Sequence, residues 1–162
     1  MSDSDMIKED IGFREAGKFE ETRFEKIHNV IFESSQEASL LVAQEIANLI
    51  QRKNELNEPC VLGLATGSSP IKVYNELVRM HRDEGLSFNN VITFNLDEYY
   101  PLDSTHPQSY RRWMRETFFD HVNIPDNQIN IPDGTLAFDQ IEEFCINYEK
   151  KIRQAGGLDL QL

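Results

Sequence analysis

Cysteine is scarce in this 162-residue chain: there are two, Cys60 and Cys145, far apart and each inside an apolar pattern. No disulfide framework is expected, and both read as buried free thiols, which suits a cytoplasmic protein. No apolar run approaches the ~18 residues that a membrane span needs. The opening "MSDSDMIKED" is acidic and lacks the apolar core of a signal peptide. Positive charge is also short, with 16 basic against 28 acidic residues, a formal net charge of -12, and no basic stripe. Such a field repels a phosphate backbone, so no nucleic-acid partner is expected. A small anionic ligand would need a local, oriented binding element instead. The four histidines, His28, His81, His106 and His121, show no close metal-ligand spacing. A Walker A loop, a Gly-x-Gly-x-x-Gly fingerprint and a Gly-x-Ser-x-Gly elbow are all missing.

What is present is ordinary for a folded domain: 40% hydrophobic residues, 27% charged, mean hydropathy -0.51. Residues 1–25 are polar without a sustained period and read as a mobile arm, although "KFEETRFEKI" could hold a helical turn. Residues 26–162 read as one domain portion. "NVIFES" looks like a strand, and Ser34 with Glu37 forms a capping-box signature. The helix that follows carries Ala38, Leu41, Val42, Ile46, Leu49 and Ile50 at helical spacing. After Pro59, "CVLGLA" is a short apolar strand. A helix with Pro70 in its first turn follows, with Ile71, Tyr74, Leu77, Val78 and His81 on one face and Gly85 ending it.

"VITFN" is the next strand. Beyond Pro107 a helix should bury Tyr110, Trp113, Met114 and Phe118. "NIPDNQINIPDG" is too rich in Pro, Asp and Asn to be regular. The last helix carries Ile141, Phe144, Cys145, Tyr148 and Ile152 and stops at Gly156-Gly157. "LDLQL", residues 158–162, begins another strand. Alternating strands and helices predict an α/β three-layer sandwich around a parallel sheet.

Two stretches carry chemistry. In "GLATGSSP" a strand passes through small residues into a helix, so Thr66, Gly67, Ser68 and Ser69 offer free N–H groups and hydroxyls to an anion. Ser69 as a helix cap, with Pro70 behind it, explains part of the same pattern. The strand "VITFN" runs directly into Asp97 and Glu98. Its partner should be "CVLGLA", which would set Asp97 beside the Thr66–Ser69 turn, where a carboxylate can serve as a general base. For Glu98 the plainer reading is a turn cap or a solvated carboxylate; Glu98 and Tyr99 remain candidates for pocket lining.

"GLATGSSPIKVY", "SFNNVITFNLDEYYPL", "HPQSYRRWMRETFFDHVNIP" and "YEKKIRQAGGLDL" resemble successive blocks of the glucosamine-6-phosphate deaminase family, from about residue 28 onward. The resemblance implies the sandwich fold shared with ribose-phosphate isomerase and CoA transferases. It also implies conversion of glucosamine 6-phosphate to fructose 6-phosphate and ammonia in amino-sugar and carbohydrate metabolism. Asp97 would take the C2 proton of the open-chain sugar and return a proton at C1, while Thr66–Ser69 cradle the 6-phosphate. Water would cleave the resulting imine, which would class the enzyme as a hydrolase. No metal or organic cofactor is implied, the partner is a small sugar phosphate, and a homo-oligomer is admitted.

The family's ring-opening residues follow the strand begun by "LDLQL", so the chain is expected to be the incomplete, inactive N-terminal portion of such a domain. Two alternatives are a 6-phosphogluconolactonase, whose strand end resembles Asp-Glu-Arg rather than "NLDEYY", and a sugar-phosphate-sensing domain.

Overall fold

The computed structural model describes residues 14–15 and 30–162. Contacts divide the chain into two units, Met1–Ala38 and Ser39–Leu162. In the first, β1 (Arg14–Glu15) pairs antiparallel with β2 (Val30–Ile31). The strand expected in "NVIFES" is therefore present, as two residues. Apart from β1, the arm expected over residues 1–25 lies outside the described residues, as does the helical turn in "KFEETRFEKI".

Helix α1 (Ser35–Glu55) starts where Ser34 Oγ accepts the Glu37 N–H at 3.2 Å, the serine half of a capping box. It buries Ser39, Ala43, Ile46, Ala47 and Ile50. The contact line is rotated from the expected stripe. Ala43 and Ala47 add little to an apolar pattern, yet they are fully buried, while Leu41, Val42 and Leu49 flank them half-buried.

Strands β3 (Cys60–Leu64) and β4 (Val91–Asn95) pair in parallel over five positions, from Cys60 opposite Val91 to Leu64 opposite Asn95. The short strand β5 (Ile129–Asn130) flanks β4, and β6 (Leu160–Gln161) flanks β3, giving the all-parallel order β5-β4-β3-β6. β5 corrects the expectation of irregular chain in "NIPDNQINIPDG". Its two residues pair with Thr93 and Phe94, and an available strand edge overrides a composition that disfavours strand.

Helices α2 (Ile71–Glu84), α3 (Tyr110–Thr117) and α4 (Ile141–Gln154) complete the layers. Alternate side chains divide between the two sheet faces. Cys60, Leu62, Leu64 and Val91 join one core with Ile46 and Ile50 of α1, Val73, Tyr74, Leu77 and Met80 of α2, and Met114 and Phe118. Phe94 points the other way and meets Tyr148 of α4 edge-on at 5.6 Å. The outcome is helix, sheet, helix. α3 is seated by aromatics: the Tyr74 ring stacks on Phe118 at 4.9 Å and meets Trp113 edge-on at 6.2 Å. Gly85 closes α2 with φ 76, the left-handed conformation that glycine adopts without cost.

Three burial expectations need correction. Tyr110 and Trp113 are half-buried rather than core. On α4 no residue is fully buried, and its apolar stripe of Ile141, Phe144, Tyr148 and Ile152 is half-covered. Cys145 is an exposed free thiol at the edge of that stripe, whereas Cys60 is buried as expected. Among the described residues no helix is long and apolar enough to cross a membrane.

One carboxylate fastens β6. Asp159 Oδ2 accepts the Val61 N–H at 2.8 Å, and its Oδ1 lies 2.8 Å from Lys53 Nζ in the last turn of α1. Burial pushes this carboxyl up, but Lys53 and the Val61 N–H outweigh it and hold the pKa below the usual carboxylate range. A depressed folded-state pKa contributes stability above the unfolded value of about 3.9 that is lost as pH falls through the folded value. Asp159→Asn should therefore cost about 1 kcal/mol at pH 7, and the deficit should vanish in acid. Denaturant melts of both proteins across that range check this, and a pH-independent difference would contradict it.

Candidate functional site

The β3–β4 register brings the segments after both strands to one edge of the sheet. Each exit is pinned from beneath by a tyrosine hydroxyl. Tyr74, fully buried in α2, donates to Ala65 O, one residue before Thr66. Tyr148 of α4 shares its one hydroxyl hydrogen between Asn95 O at 2.9 Å, two residues before Asp97, and Asn130 O at 3.0 Å. The exits are also tied to each other, since Leu96 N–H donates to Leu64 O at 3.3 Å.

The turn after β3 takes its shape at Gly67, whose φ of 100 any other residue would adopt only under strain. Gly67, Ser68 and Ser69 are exposed. Ser69 is not the helix cap. Pro70 occupies that position, with no side-chain capping bond, and the first turn of α2 holds no carboxylate. The positive end of this 14-residue helix is thus left uncompensated by its own side chains.

The two adjacent carboxylates have separate fates. Glu98 accepts four hydrogen bonds: from Tyr99 N at 2.9 Å, Ser109 Oγ at 2.8 Å, Tyr110 N at 2.8 Å and Arg111 N at 2.9 Å. It caps α3, whose own first turn has no acidic residue. Desolvation raises the Glu98 carboxyl, but the hydrogen bonds from Arg111, Tyr110, Ser109 and Tyr99 prevail and lower its pKa. Asp97 is exposed, and among the described residues its carboxylate makes no hydrogen bond or ion pair.

Asp97 and Glu98 line a cavity of about 400 Å³ with Leu96, Tyr100, Phe144 and Tyr148 among its walls. Thr66–Ser69 and Tyr99 are not part of that lining. The Tyr110 hydroxyl donates to Tyr99 Oη at 3.2 Å. The Tyr99 bond raises the Tyr110 phenol, desolvation and the Asp97 charge add to this, and Thr66 opposes it.

Sequence reasoning left Ser109 and Tyr110 outside the site. Ser109 carried a usable signal, as a serine just ahead of a helix with no acidic first turn; Tyr110 carried none beyond its place on an apolar stripe. Close backbone approach secures the rest. A Cβ on Gly134 would lie 2.5 Å from Tyr99 O and 2.6 Å from Leu102 O, so only glycine lets the 133–135 loop support the residues after Asp97.

The segments after β3 and β4 thus share one edge of a parallel sheet in an α/β sandwich, the edge at which such folds carry their ligand-binding loops. The profile described as "Glucosamine-6-phosphate isomerases/6-phosphogluconolactonase" matches residues 33–162, and this chain belongs to that family. A glucosamine-6-phosphate deaminase-like protein of Bacteroides thetaiotaomicron is 48% identical over 141 residues, 87% of this chain and 21% of that protein. The glucosamine-6-phosphate deaminase of Halothermothrix orenii is 48% identical over 130 residues, 80% of this chain and 50% of that enzyme. A solved monomeric glucosamine-6-phosphate deaminase of the NagB superfamily superposes with a TM-score of 0.74 at 38% identity, covering 80% of this chain and 52% of that one.

The chain thus spans about half the length of the enzymes it matches, and about a fifth of the Bacteroides protein. The family's description as isomerases and the relatives' names as deaminases overturn the hydrolase class expected from the imine-cleaving water.

Replacing Glu98 by Gln keeps the size but removes the charge that four donors share. We expect a loss of about 1–2 kcal/mol at pH 7. The wild-type advantage should be complete above the ordinary glutamate value of about 4.3 and fade as pH falls through the depressed one. Thermal melts of Glu98→Gln and wild type at neutral and acid pH measure it; equal stability at pH 7 would show that the cap contributes nothing.

Proposed function

We propose that this chain is the phosphate-cradling and proton-abstracting portion of a glucosamine-6-phosphate deaminase. Asp97 is the base that removes the C2 proton of the open-chain sugar and returns a proton at C1. The observation that carries the reading is the contrast between neighbours: Glu98 is fully engaged in capping α3, while Asp97, one residue earlier, presents an unpaired carboxylate at the sheet edge. A base must reach its substrate and hold a free lone pair, and only Asp97 of the two does. Thr66, Gly67, Ser68 and Ser69 receive the 6-phosphate at the N-terminus of α2, where the backbone supplies donors and the helix end supplies positive potential.

That arrangement suits a chain of net charge -12, because it attracts a phosphate locally without basic side chains. Residues 26–162 form this portion. The chain spans about half the length of the deaminases it matches, and by itself it should bind the sugar phosphate without turning it over. The ligand is a small sugar phosphate in the cytoplasm, with no nucleic-acid or membrane partner. A second reading, 6-phosphogluconolactonase activity, shares the family profile, but identities of 45–48% to deaminases favour the first.

The test is a chimera in which residues 33–162 replace the matching part of the Halothermothrix orenii enzyme. It should release ammonia from glucosamine 6-phosphate and exchange the C2 hydrogen with deuterated water. Asp97→Asn in that background should slow exchange by about 10²–10⁴-fold. A folded chimera that hydrolyses 6-phosphogluconolactone but releases no ammonia would establish the second reading. Undiminished exchange in the variant would assign the proton to another group.

A further inference from the structure

Asn95 departs from the chemistry of the strands around it. It is the last residue of β4, opposite Leu64 at the end of β3, and only 2% of it is exposed. Alternation puts it on the sheet face of Val91, Leu62 and Leu64, which carries the apolar core. Its Nδ2 donates to Leu64 O at 3.4 Å, the same carbonyl that accepts the Leu96 N–H at 3.3 Å. Its own backbone carbonyl accepts from the Tyr148 hydroxyl at 2.9 Å on the opposite face. Leu64 O can only accept, so the amide nitrogen faces it, and Asn95 Oδ1 is left buried without a hydrogen-bond partner.

Such a side chain does not serve stability. One long hydrogen bond from Nδ2 does not offset the desolvation of an oxygen that no donor meets. A leucine of the same branched shape would occupy the position without that cost. A local choice that opposes folding is expected where a functional group has to be held in place. Asp97 lies two residues beyond Asn95, just where the ladder between β3 and β4 ends. We infer that Asn95 is a positioning residue for Asp97. Together with the Leu96 N–H it makes a two-pronged tie to Leu64 O, which stops the segment from swinging away from β3 as it leaves the sheet. The turn after β3 is held separately, because Tyr74 pins Ala65 O. This rests on the reading of Asp97 as the base, and it adds the residue that aims it.

Thr93 supplies the control. It lies two residues earlier on the same face, fully buried, and its Oγ1 also lacks a partner. Asn95→Leu and Thr93→Val each remove one orphaned oxygen, so both should melt at or above the wild-type temperature, by up to about 2–4 °C. Amide hydrogen exchange of the 162-residue chain, followed by NMR, reads the tie itself. The Leu96 amide should exchange about five-fold faster in Asn95→Leu, the worth of one neutral hydrogen bond, and at the wild-type rate in Thr93→Val. Inorganic phosphate should bind all three proteins alike. In the chimera with the Halothermothrix orenii enzyme, Asn95→Leu should slow exchange of the C2 hydrogen by about 10–100-fold, the effect of displacing a base by up to about 1 Å. Thr93→Val should leave that exchange unchanged.

Asn95→Leu melting below wild type overturns the inference, since the carboxamide would then be structural. So does wild-type protection of the Leu96 amide in that variant, or undiminished exchange of the C2 hydrogen. Slowing by Thr93→Val to the same degree overturns it too, because any change in that part of the core would then suffice. A folded wild-type chimera that exchanges no C2 hydrogen refutes the reading of Asp97 as the base, and the role given to Asn95 falls with it. Unchanged Leu96 protection, by contrast, removes the role of Asn95 alone.

Discussion

Five consecutive parallel pairs between β3 and β4 fix the relation of everything that follows those strands. Parallel pairing requires both chains to leave the sheet at the same edge, and register decides how far apart they leave. Leu64 and Asn95 are the last pair, so the turn to α2 and the segment bearing Asp97 begin level with each other. A slip of one residue would turn Leu62 and Leu64 out of the core and Gly63 into it. Burial at less than a tenth exposure along β3 makes that slip costly. The geometry of the site is therefore a consequence of core packing, and no contact within the site itself has to set it.

The second constraint is electrostatic. Two carboxylates at adjacent positions repel one another, and a chain of net charge -12 adds to the cost. Four donors around Glu98 absorb one of the two charges into the cap of α3. The other stays in contact with solvent on a segment supported by Gly134 and the tyrosine anchors. Neighbours of the same chemical type thus take opposite tasks because one strand exit points them at different surroundings.

The sequence made the sandwich, the β3–β4 adjacency and most element positions legible, because fully buried strands and amphipathic helices leave strong periodic signals. It failed where a feature depends on contacts between distant segments. β5 is two residues in a Pro- and Asp-rich stretch, and only the exposed edge of β4 makes it a strand. Ala43 and Ala47 carry too little hydropathy to mark the buried line of α1, although both belong to its core face. Tyr110 and Cys145 both fit apolar stripes, yet each sits at a stripe's edge, where burial depends on what lies opposite. Asp97 was legible as a sheet-edge acid beside the turn and Glu98 as the plainer cap, but which helix Glu98 caps was not, since that helix begins twelve residues further on.

Tyrosine recurs at the points where chain leaves the sheet, and its chemistry explains why. Tyr74 holds the β3 exit, Tyr148 holds the β4 and β5 exits, and Tyr110 bonds Tyr99 beyond Asp97. A phenol has a flat apolar body that can stack in a core, as Tyr74 does on Phe118, and a polar tip that satisfies a backbone carbonyl at its boundary. It does so with two side-chain torsions, so little conformational entropy is lost in aiming it. Burial pushes the phenols of Tyr74 and Tyr148 up, which keeps them protonated and donating at any physiological pH. Loops with no regular structure of their own are thus held by donors rooted in helices on both faces of the sheet. That is the preorganisation a proton-transfer site requires, because the carboxylate must meet its substrate without first ordering the chain around it.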